Sequence, residues 1–304
     1  MSRRRPQKPS LTDTDHPTPT VKQALEKGRQ TLAARAADDA AREALFLLAG
    51  LLEISPGQVA LERDRALSQD EWGDYQSRLR RRAGGEPLQY IEGRAAFRQL
   101  SLRVDRSVLI PRPETEQLVE HVLQWCRGKQ RLLGLDLGTG SGAIAISLLR
   151  EGPFRACVAV DISAAALNLA RVNASEARVA GKLHLRQGSL FEPLRPGERF
   201  HVIVSNPPYV ADGEAGSLPT EVRDWEPPLA LFAGPTGLEV ISEIVRAAPR
   251  YLEPGGLLAL EVAPTVAEAA LECVGESAFY GEPRLAHDLA GQRRLLTAEL
   301  AGGQ

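Results

Sequence analysis

Four consecutive residues, Asn206, Pro207, Pro208 and Tyr209, carry the clearest chemical signal in this sequence of 304 residues. They follow the apolar run 201–205, which predicts a buried parallel strand ending where open α/β sheets bind their ligands. The two prolines have no N–H to donate, so their carbonyls can only accept hydrogen bonds. Asn206 adds a side-chain acceptor and Tyr209 a flat apolar ring. This set suits a planar –NH2 group held by two acceptors under an aromatic ring; a proline turn that binds nothing is the alternative.

A glycine-rich loop upstream predicts a cofactor site. An apolar strand beginning near residue 133 runs into this loop, and the apolar run 143–149 after it predicts a helix. The G-x-G-x-G spacing is tighter than the G-x-G-x-x-G of dinucleotide binders, and no lysine follows to bind a nucleoside triphosphate. Glycines allow the sharp turn and the close approach of backbone to ligand. The predicted cofactor loop consists of Gly138, Thr139, Gly140, Ser141 and Gly142.

Asp161 ends a second apolar strand and predicts a contact with a ribose. It lies 23 residues after Gly138, and an acidic residue about 20 residues after such a loop binds ribose hydroxyls. Capping of the helix that starts near Ser163 is nearly as good an explanation. Ribose binding without a pyrophosphate site indicates S-adenosylmethionine as the cofactor.

The composition is that of an ordinary globular protein. A net charge of −2 gives no general attraction to nucleic acid, so we expect no direct nucleic-acid substrate. No apolar run approaches the roughly 18 residues of a membrane span, so we expect no membrane association. Three widely spaced cysteines without a C-x-x-C pair indicate reduced thiols, no metal site and a cytoplasmic protein. We expect a monomer.

Periodicity and composition predict four regions along the chain. Ser68 to Ala83 reads as a helix that opens with a capping box. Its basic run 78–82 is interpreted as a solvated helix face, with a contact to ribosomal RNA or an acidic partner as the alternative. Strands and helices alternate after Pro113, as in a doubly wound parallel sheet. The predicted regions are a disordered arm (1–19), a helical domain (20–95), a β-hairpin linker (96–112) and a catalytic domain (113–304).

Four sequence blocks resemble the release factor glutamine methyltransferases, the HemK-like group that modifies the glutamine of the Gly-Gly-Gln loop in class I peptide chain release factors. The N-P-P-Y motif alone is shared with adenine N6 methyltransferases of DNA and RNA. Ile110-Pro-Arg-Pro-Glu-Thr-Glu116 is more restrictive and points to protein glutamine. A sister group that modifies a ribosomal protein shares the layout but differs in this block. The four blocks are 85–93, 109–116, 136–142 and 205–209.

The resemblance implies a fold and a set of site residues. The fold is a Rossmann-like class I S-adenosylmethionine-dependent methyltransferase sheet, preceded by a small helical domain that docks the release factor. Where the family has an aspartate beside the adenine, this chain has Ser189, whose hydroxyl accepts without charge assistance. Substrate binding is expected of Asn206, Pro207, Pro208 and Tyr209, and all of these except Pro208 are also expected to take part in catalysis. Cofactor binding is expected of the glycine loop, Asp161, Ser189, Leu190 and Asn206.

Asn206 Oδ1 and the Pro207 carbonyl are expected to hold both N–H bonds of the substrate amide and turn its nitrogen toward the sulfonium methyl. Transfer would then proceed in line, without a covalent enzyme intermediate. A cofactor-binding module without activity would need a broken loop, and both motifs are intact.

Five further residues have two interpretations each. Arg112, Glu114 and Glu116 either line the cleft or start a helix. Trp225 and Glu226 either cover the site or anchor a loop.

The chain ends in Gly302-Gly303-Gln304, the tripeptide that the family modifies. We interpret this as a chance match without a role.

Overall fold

The computed structural model describes residues 18–35 and 38–302. The chain divides after Glu92 into two compact units. The predicted disordered arm, apart from its last two residues, lies outside the described residues. Gly303 and Gln304 of the terminal tripeptide also lie outside them.

The first unit is helical. Capping boxes at Thr20, Ser55 and Ser68 begin three of its helices, which confirms the one predicted at Ser68. Fully buried Tyr75 lies in its core and donates a 3.0 Å hydrogen bond to the Ala44 carbonyl. Its helices are α1 (Val21–Leu32), α2 (Ala40–Leu52), α3 (Pro56–Val59), α4 (Gln69–Ala83) and α5 (Leu88–Glu92).

Two arginines of the basic run 78–82 form ion pairs inside this unit. Arg81 Nη2 lies 2.6 Å from Glu86 Oε1, and buried Arg82 donates from Nε to Glu43 Oε2 at 2.9 Å. Buried Arg82 therefore does not belong to a solvated helix face, whereas the Arg81 side chain remains 43% exposed.

The second unit combines a hairpin with an α/β sheet. Its strands are β1 (Arg94–Phe97), β2 (Leu100–Arg103), β3 (Leu132–Leu137), β4 (Phe154–Asp161), β5 (Leu183–Gln187), β6 (Phe200–Ser205), β7 (Leu252–Glu261), β8 (Arg284–His287) and β9 (Arg293–Glu299). Its α-helices are α6 (Pro113–Trp125), α7 (Ala143–Glu151), α8 (Ala164–Glu176), α9 (Thr220–Trp225), α10 (Glu239–Ala247) and α11 (Ala267–Gly275).

In the described part of this unit, seven strands form one sheet in the order β5-β4-β3-β6-β7-β9-β8. Alternate residues of β6 enter different cores. Val202 and Val204 pack with α6, α7 and α8, whereas Ile203 packs with α10 and α11. The chain winds outward from β3 through β4 and β5, and then returns to β6 on the other side. The reversal between β3 and β6 creates the crevice in which such sheets bind ligands.

The sheet is mostly parallel, as the predicted doubly wound pattern requires, and its last two strands add antiparallel pairs. β9 pairs antiparallel with both β7 and β8. Only a short turn separates β8 from β9, and a parallel connection would need a dozen or more residues. Asp288 stabilises this turn by accepting from the Ala290 and Gln292 amides.

The hairpin also differs from the predicted residues 96–112. β1 and β2 pair antiparallel from Arg94 to Arg103, and residues 104–112 form a loop that leads to α6. Apolar Val104, Val108 and Ile110 are buried along this loop, which explains why its sequence resembles a strand.

Two kinds of feature are absent from the described ranges. No helix there is long and apolar enough to cross a membrane. No group of three or more His, Cys, Asp or Glu residues there is arranged to hold a metal ion.

Candidate active site

The glycine loop between β3 and α7 has a backbone that only glycine adopts without strain. Gly138, Gly140 and Gly142 have φ values of +70°, +54° and +83°. A Cβ on Gly142 would also lie 2.9 Å from Ile146 Cδ1. The three glycines therefore serve the turn itself and the packing of α7 beneath it.

Asp136, at the end of β3, fastens this loop to the sheet. Its Oδ2 accepts the Thr139 hydroxyl at 2.7 Å and the Ala145 amide at 3.2 Å. Burial raises the pKa of this fully buried carboxyl to about 7. Its Oδ1 has no partner among the described residues, so the carboxyl holds the loop at a cost in desolvation.

Asn173, on α8, holds the same loop from the other side. Its Nδ2 donates to the Ser141 carbonyl at 2.8 Å and to the Arg103 carbonyl at 3.1 Å. Its Oδ1 accepts from the Arg103 amide at 2.7 Å. One buried amide thus ties the cofactor loop to β2, a role that the sequence analysis missed.

Asp161 lies at the end of β4, beside the loop. Its Oδ2 accepts from the Gly140 amide at 2.8 Å and its Oδ1 from the Ser163 amide at 2.9 Å. Ser163 itself caps α8 through its side chain, so Asp161 is not the helix cap. Burial raises the pKa of Asp161. Each carboxylate oxygen retains acceptor capacity for a ligand hydroxyl.

A cavity of about 430 Å³ opens at the carboxyl ends of β3, β4 and β6. Its other walls come from residues 107–112 and 227–232. Three predicted site residues, Gly142, Pro207 and Tyr209, are not among its lining residues. The predicted site residues that line it are Gly138, Thr139, Gly140, Ser141, Asp161, Ser189, Leu190, Asn206 and Pro208.

Asn206 is held by a chain of hydrogen bonds that reaches a buried carboxylate. Its Nδ2 donates to Thr115 Oγ1 at 3.1 Å, and the Thr115 hydroxyl donates to Glu261 Oε2 at 2.7 Å. Thr115 lies in the first turn of α6 and Glu261 at the end of β7. Because the amide NH2 is used in this way, Asn206 Oδ1 is the end left to accept a hydrogen bond from a ligand.

Tyr209 is partly buried and packs against the hydrophobic core of the sheet. Burial raises the pKa of its hydroxyl to about 12, and the charge of Glu261 contributes in the same direction. Its backbone is also confined, because a Cβ on Gly237 would lie 2.5 Å from the Tyr209 carbonyl oxygen. Tyr209 thus lies beside the charged groups near Asn206 and outside the cavity lining.

The structure places several of the residues for which the sequence left two interpretations open. Arg112 precedes α6, lines the cavity and pairs with Glu226. Glu116 accepts from the Arg98 amide at 2.8 Å, so it fastens the hairpin turn. The Arg106 guanidinium lies 3.9 Å from the centre of the Trp225 ring. Because Glu226 pairs with Arg112, it anchors the loop that forms one wall of the cavity.

Ser189 and Leu190 reach the cavity from the turn after β5. Leu190 has a φ of +43°, in the left-handed region that non-glycine residues rarely adopt. The Ser189 amide donates to Glu192 Oε2 at 3.1 Å, which holds the turn.

The fold matches that of known methyltransferases. A methyltransferase from Pyrococcus furiosus superposes with a TM-score of 0.50 at 17% identity, over 68% of this chain and 92% of that chain. Residues 114–220 match the family model described as the methyltransferase small domain. Fold and glycine loop together define a class I S-adenosylmethionine-dependent methyltransferase.

Similarity over the full chain narrows the class. Residues 23–93 match the model described as the PrmC N-terminal domain. The release factor glutamine methyltransferase of Cereibacter sphaeroides is 40% identical over 91% of this chain and 97% of its own length. That of Rhodopirellula baltica is 34% identical over 96% of this chain and 100% of its own. The chain belongs to the release factor glutamine methyltransferase family.

Proposed function

We propose that this protein transfers a methyl group from S-adenosylmethionine to the side-chain amide nitrogen, N5, of a glutamine in class I peptide chain release factors. The glutamine is that of the Gly-Gly-Gln motif. The observation that carries the proposal is the orientation of Asn206. Its NH2 group is bound to Thr115, so its oxygen is the end available to a substrate –NH2 group.

A second acceptor lies next to Asn206 in the chain. None of the described residues donates to the carbonyl of Pro207. Two acceptors side by side can take both N–H bonds of one primary amide. They would orient its nitrogen without removing a proton from it.

The cavity fits the proposed cofactor. Gly138 and Gly140 bring backbone close to a ligand, and the Asp161 carboxylate suits ribose hydroxyls. Ser189 and Leu190 line the cavity and would form the wall for the base. S-adenosylmethionine, when bound, supplies a methyl group on a positively charged sulfur that an amide nitrogen can attack.

Residues of the chain can compensate for the low nucleophilicity of the substrate amide nitrogen. An amide lone pair is delocalised into the carbonyl, so attack develops positive charge on nitrogen. Asn206 Oδ1 and the Pro207 carbonyl stabilise that charge through the N–H bonds that they accept, because both are preorganised acceptors. As the nitrogen–carbon bond forms, the carbon–sulfur bond breaks, and the methylated nitrogen then loses one proton to water. Tyr209, beside this position, would exclude further water from the amide.

The remaining assignments complete the proposal. The helical unit docks the release factor, the protein acts as a monomer in the cytoplasm, and nucleic acid is not its substrate. The four residues from Asn206 to Tyr209 bind the substrate. The glycine loop with Asp161, Ser189 and Leu190 binds the cofactor, and Asn206 contributes to that site as well. Residues 23–93 match the amino-terminal domain of the family, and it is to this domain that we assign the docking role.

Labelling with radioactive S-adenosylmethionine tests the proposal. The acceptors are a class I release factor, its variant with the Gly-Gly-Gln glutamine changed to alanine, a ribosomal protein fraction and DNA. Label in the release factor alone is the expected result. Label in DNA would favour adenine methylation, label in the ribosomal fraction the sister activity, and label in the glutamine variant a different target residue; each of these overturns the proposal.

A further inference from the structure

The Asn206 side chain has two ends of similar shape and opposite hydrogen-bonding character. Only the oxygen end suits a substrate –NH2 group. Rotation of the amide by half a turn would present the Asn206 NH2 group to the substrate. Two donors, this NH2 group and the substrate –NH2 group, would then face each other without an acceptor. The site therefore needs something that decides which end faces the substrate.

Thr115 cannot decide this by itself. A hydroxyl both donates and accepts, so it could accept from the Asn206 NH2 group or donate to the Asn206 oxygen. Glu261 removes that freedom. An ionised carboxylate only accepts, and Glu261 accepts a hydrogen bond from the Thr115 hydroxyl, with 2.7 Å between the two oxygens. The lone pairs of Thr115 then face Asn206, which must present its NH2 group, as it does at 3.1 Å.

We infer that Glu261, acting through Thr115, is a positioning residue that fixes the Asn206 amide with its oxygen toward the substrate; this inference rests on the proposed function. The three residues come from three elements that meet at the carboxyl edge of the sheet. Glu261 ends β7, whose Leu260 pairs with Ser205, the residue before Asn206. Thr115 spans the gap between the two strands from the start of α6.

The burial of Glu261 supports a role beyond packing. It is 1% exposed, and no described cation lies within ion-pair distance of it. Arg112 pairs with Glu226, and Arg294 lies 3.4 Å from Asp288. A buried carboxylate without an ion pair is costly, and a leucine at this strand end would avoid that cost.

The arrangement implies a dependence on pH. Burial raises the pKa of Glu261 to about 7, Thr115 and the positive charges of Arg294 and Arg112 lower it, and Glu114 raises it. Tyr209 lies beside the carboxyl as well. A protonated Glu261 can donate to Thr115, which frees the hydroxyl proton to bind Asn206 Oδ1. The orientation of the amide is then no longer enforced, so turnover should fall as the pH falls through about 7.

The experiment uses the full-length protein and a purified release factor. Thr115→Val keeps the shape and removes the hydroxyl, Thr115→Ser restores it, and Glu261→Gln keeps the shape but can present either end to Thr115. Ser147→Ala is the control, since Ser147 has a buried hydroxyl with no partner among the described residues. Turnover, KM for the release factor, the Kd of S-adenosylmethionine and thermal unfolding are measured for each protein.

Thr115→Val should lower kcat about tenfold to a hundredfold, the range expected when a reacting group is misplaced. Its Kd for the cofactor should not change, and Thr115→Ser should recover most of kcat. Glu261→Gln should lower kcat and lose the rise of kcat with pH near 7 that we expect of the wild type. Ser147→Ala should resemble the wild type throughout.

The outcomes distinguish a failure of the positioning role of Glu261 from a failure of the proposed methyltransferase function. A wild-type protein that methylates no release factor overturns both. An active wild type whose folded Thr115→Val variant keeps its kcat overturns the inference alone. If Thr115→Val unfolds, the pH profiles decide: the same acid-side fall in the wild type and in Glu261→Gln contradicts the inference.

Discussion

Arg112 and Glu226 form an ion pair between two walls of the cavity, with 2.5 Å between Nη2 and Oε1. Arg112 belongs to the loop that leads into α6, and Glu226 follows α9. The Glu226 side chain is 1% exposed, and its second oxygen is buried without a partner among the described residues. The pair therefore keeps a buried carboxylate in place and fixes the chain segment that continues to Pro227 and Leu229.

Removal of the Arg112 guanidinium should leave the Glu226 carboxylate buried without an ion-pair partner. Arg112→Met is expected to lower the free energy of unfolding by about 3 kcal/mol, the lower end for a broken buried pair, because Arg112 is partly exposed. Adding Glu226→Gln should recover part of the loss, since the stranded group is then neutral. Urea unfolding of the wild type, both single variants and the double variant measures this. A double variant no more stable than Arg112→Met would contradict the account.

The same variant should respond to pH in a definite direction. Burial already raises the pKa of Glu226, and the charge and hydrogen bond of Arg112 are the largest causes that lower it. Without Arg112 the folded state prefers the protonated carboxyl more than the unfolded state does. The stability deficit should therefore be full above the folded-state pKa and shrink as the pH falls toward the ordinary value near 4.5. A deficit that grows on acidification would contradict this.

Asp161→Ala should weaken cofactor binding. The change removes a charged acceptor for the ribose and also the partner of the Gly140 and Ser163 amides. A charge-assisted hydrogen bond contributes about 1.5–3 kcal/mol, so the Kd of S-adenosylmethionine should rise at least about tenfold. Calorimetry with the exposed Asp74→Ala as a control measures it. An unchanged Kd would remove Asp161 from the cofactor site.

Asn173→Ala should destabilise the protein by removing the hydrogen bonds that join the cofactor loop to β2. Its buried amide makes three hydrogen bonds, to Ser141 and to both backbone groups of Arg103. The loss leaves buried backbone groups unsatisfied, at a cost of about 1–3 kcal/mol in the free energy of unfolding. Denaturant unfolding beside Asn168→Ala, an exposed asparagine of the same helix, provides the comparison. Equal stability of the two variants would show that the clamp contributes nothing.

The terminal Gly302-Gly303-Gln304 should have no role in catalysis. Intact-mass measurement after incubation with cofactor alone should show no added methyl group, and deletion of the three residues should leave activity unchanged. A gain of one methyl group that disappears on deletion would reveal automethylation.

Sequence and structure agree most where the signal is local. The glycines of the cofactor loop, the strand before Asn206 and the capping box at Ser68 all depend on neighbours within a few positions. Their physical reasons, backbone φ and hydrogen bonds over three residues, can be read directly from the chain.

What the sequence analysis missed depends on distant contacts. Thr115 and Glu261 are 146 positions apart, and no pattern in either segment states that they meet. A signal existed nonetheless, because Glu261 ends an apolar strand in the same way as Asp161. Comparison of the two strand ends would have marked Glu261 as a group at the carboxyl edge. The antiparallel pairing of β9 depends likewise on a turn held by Asp288, whose effect on strand direction is not visible in periodicity.

Asn206 provides the most direct test of the central claim, that an oriented amide acceptor activates the substrate nitrogen. Single-turnover methylation of a release factor is measured for the wild type, Asn206→Ala and the exposed control Asn168→Ala, with the Kd of S-adenosylmethionine measured alongside. Asn206→Ala should lose at least about 100-fold in rate, as expected for one preorganised polar group, while cofactor binding stays largely intact. Near-normal turnover in folded Asn206→Ala would contradict the account.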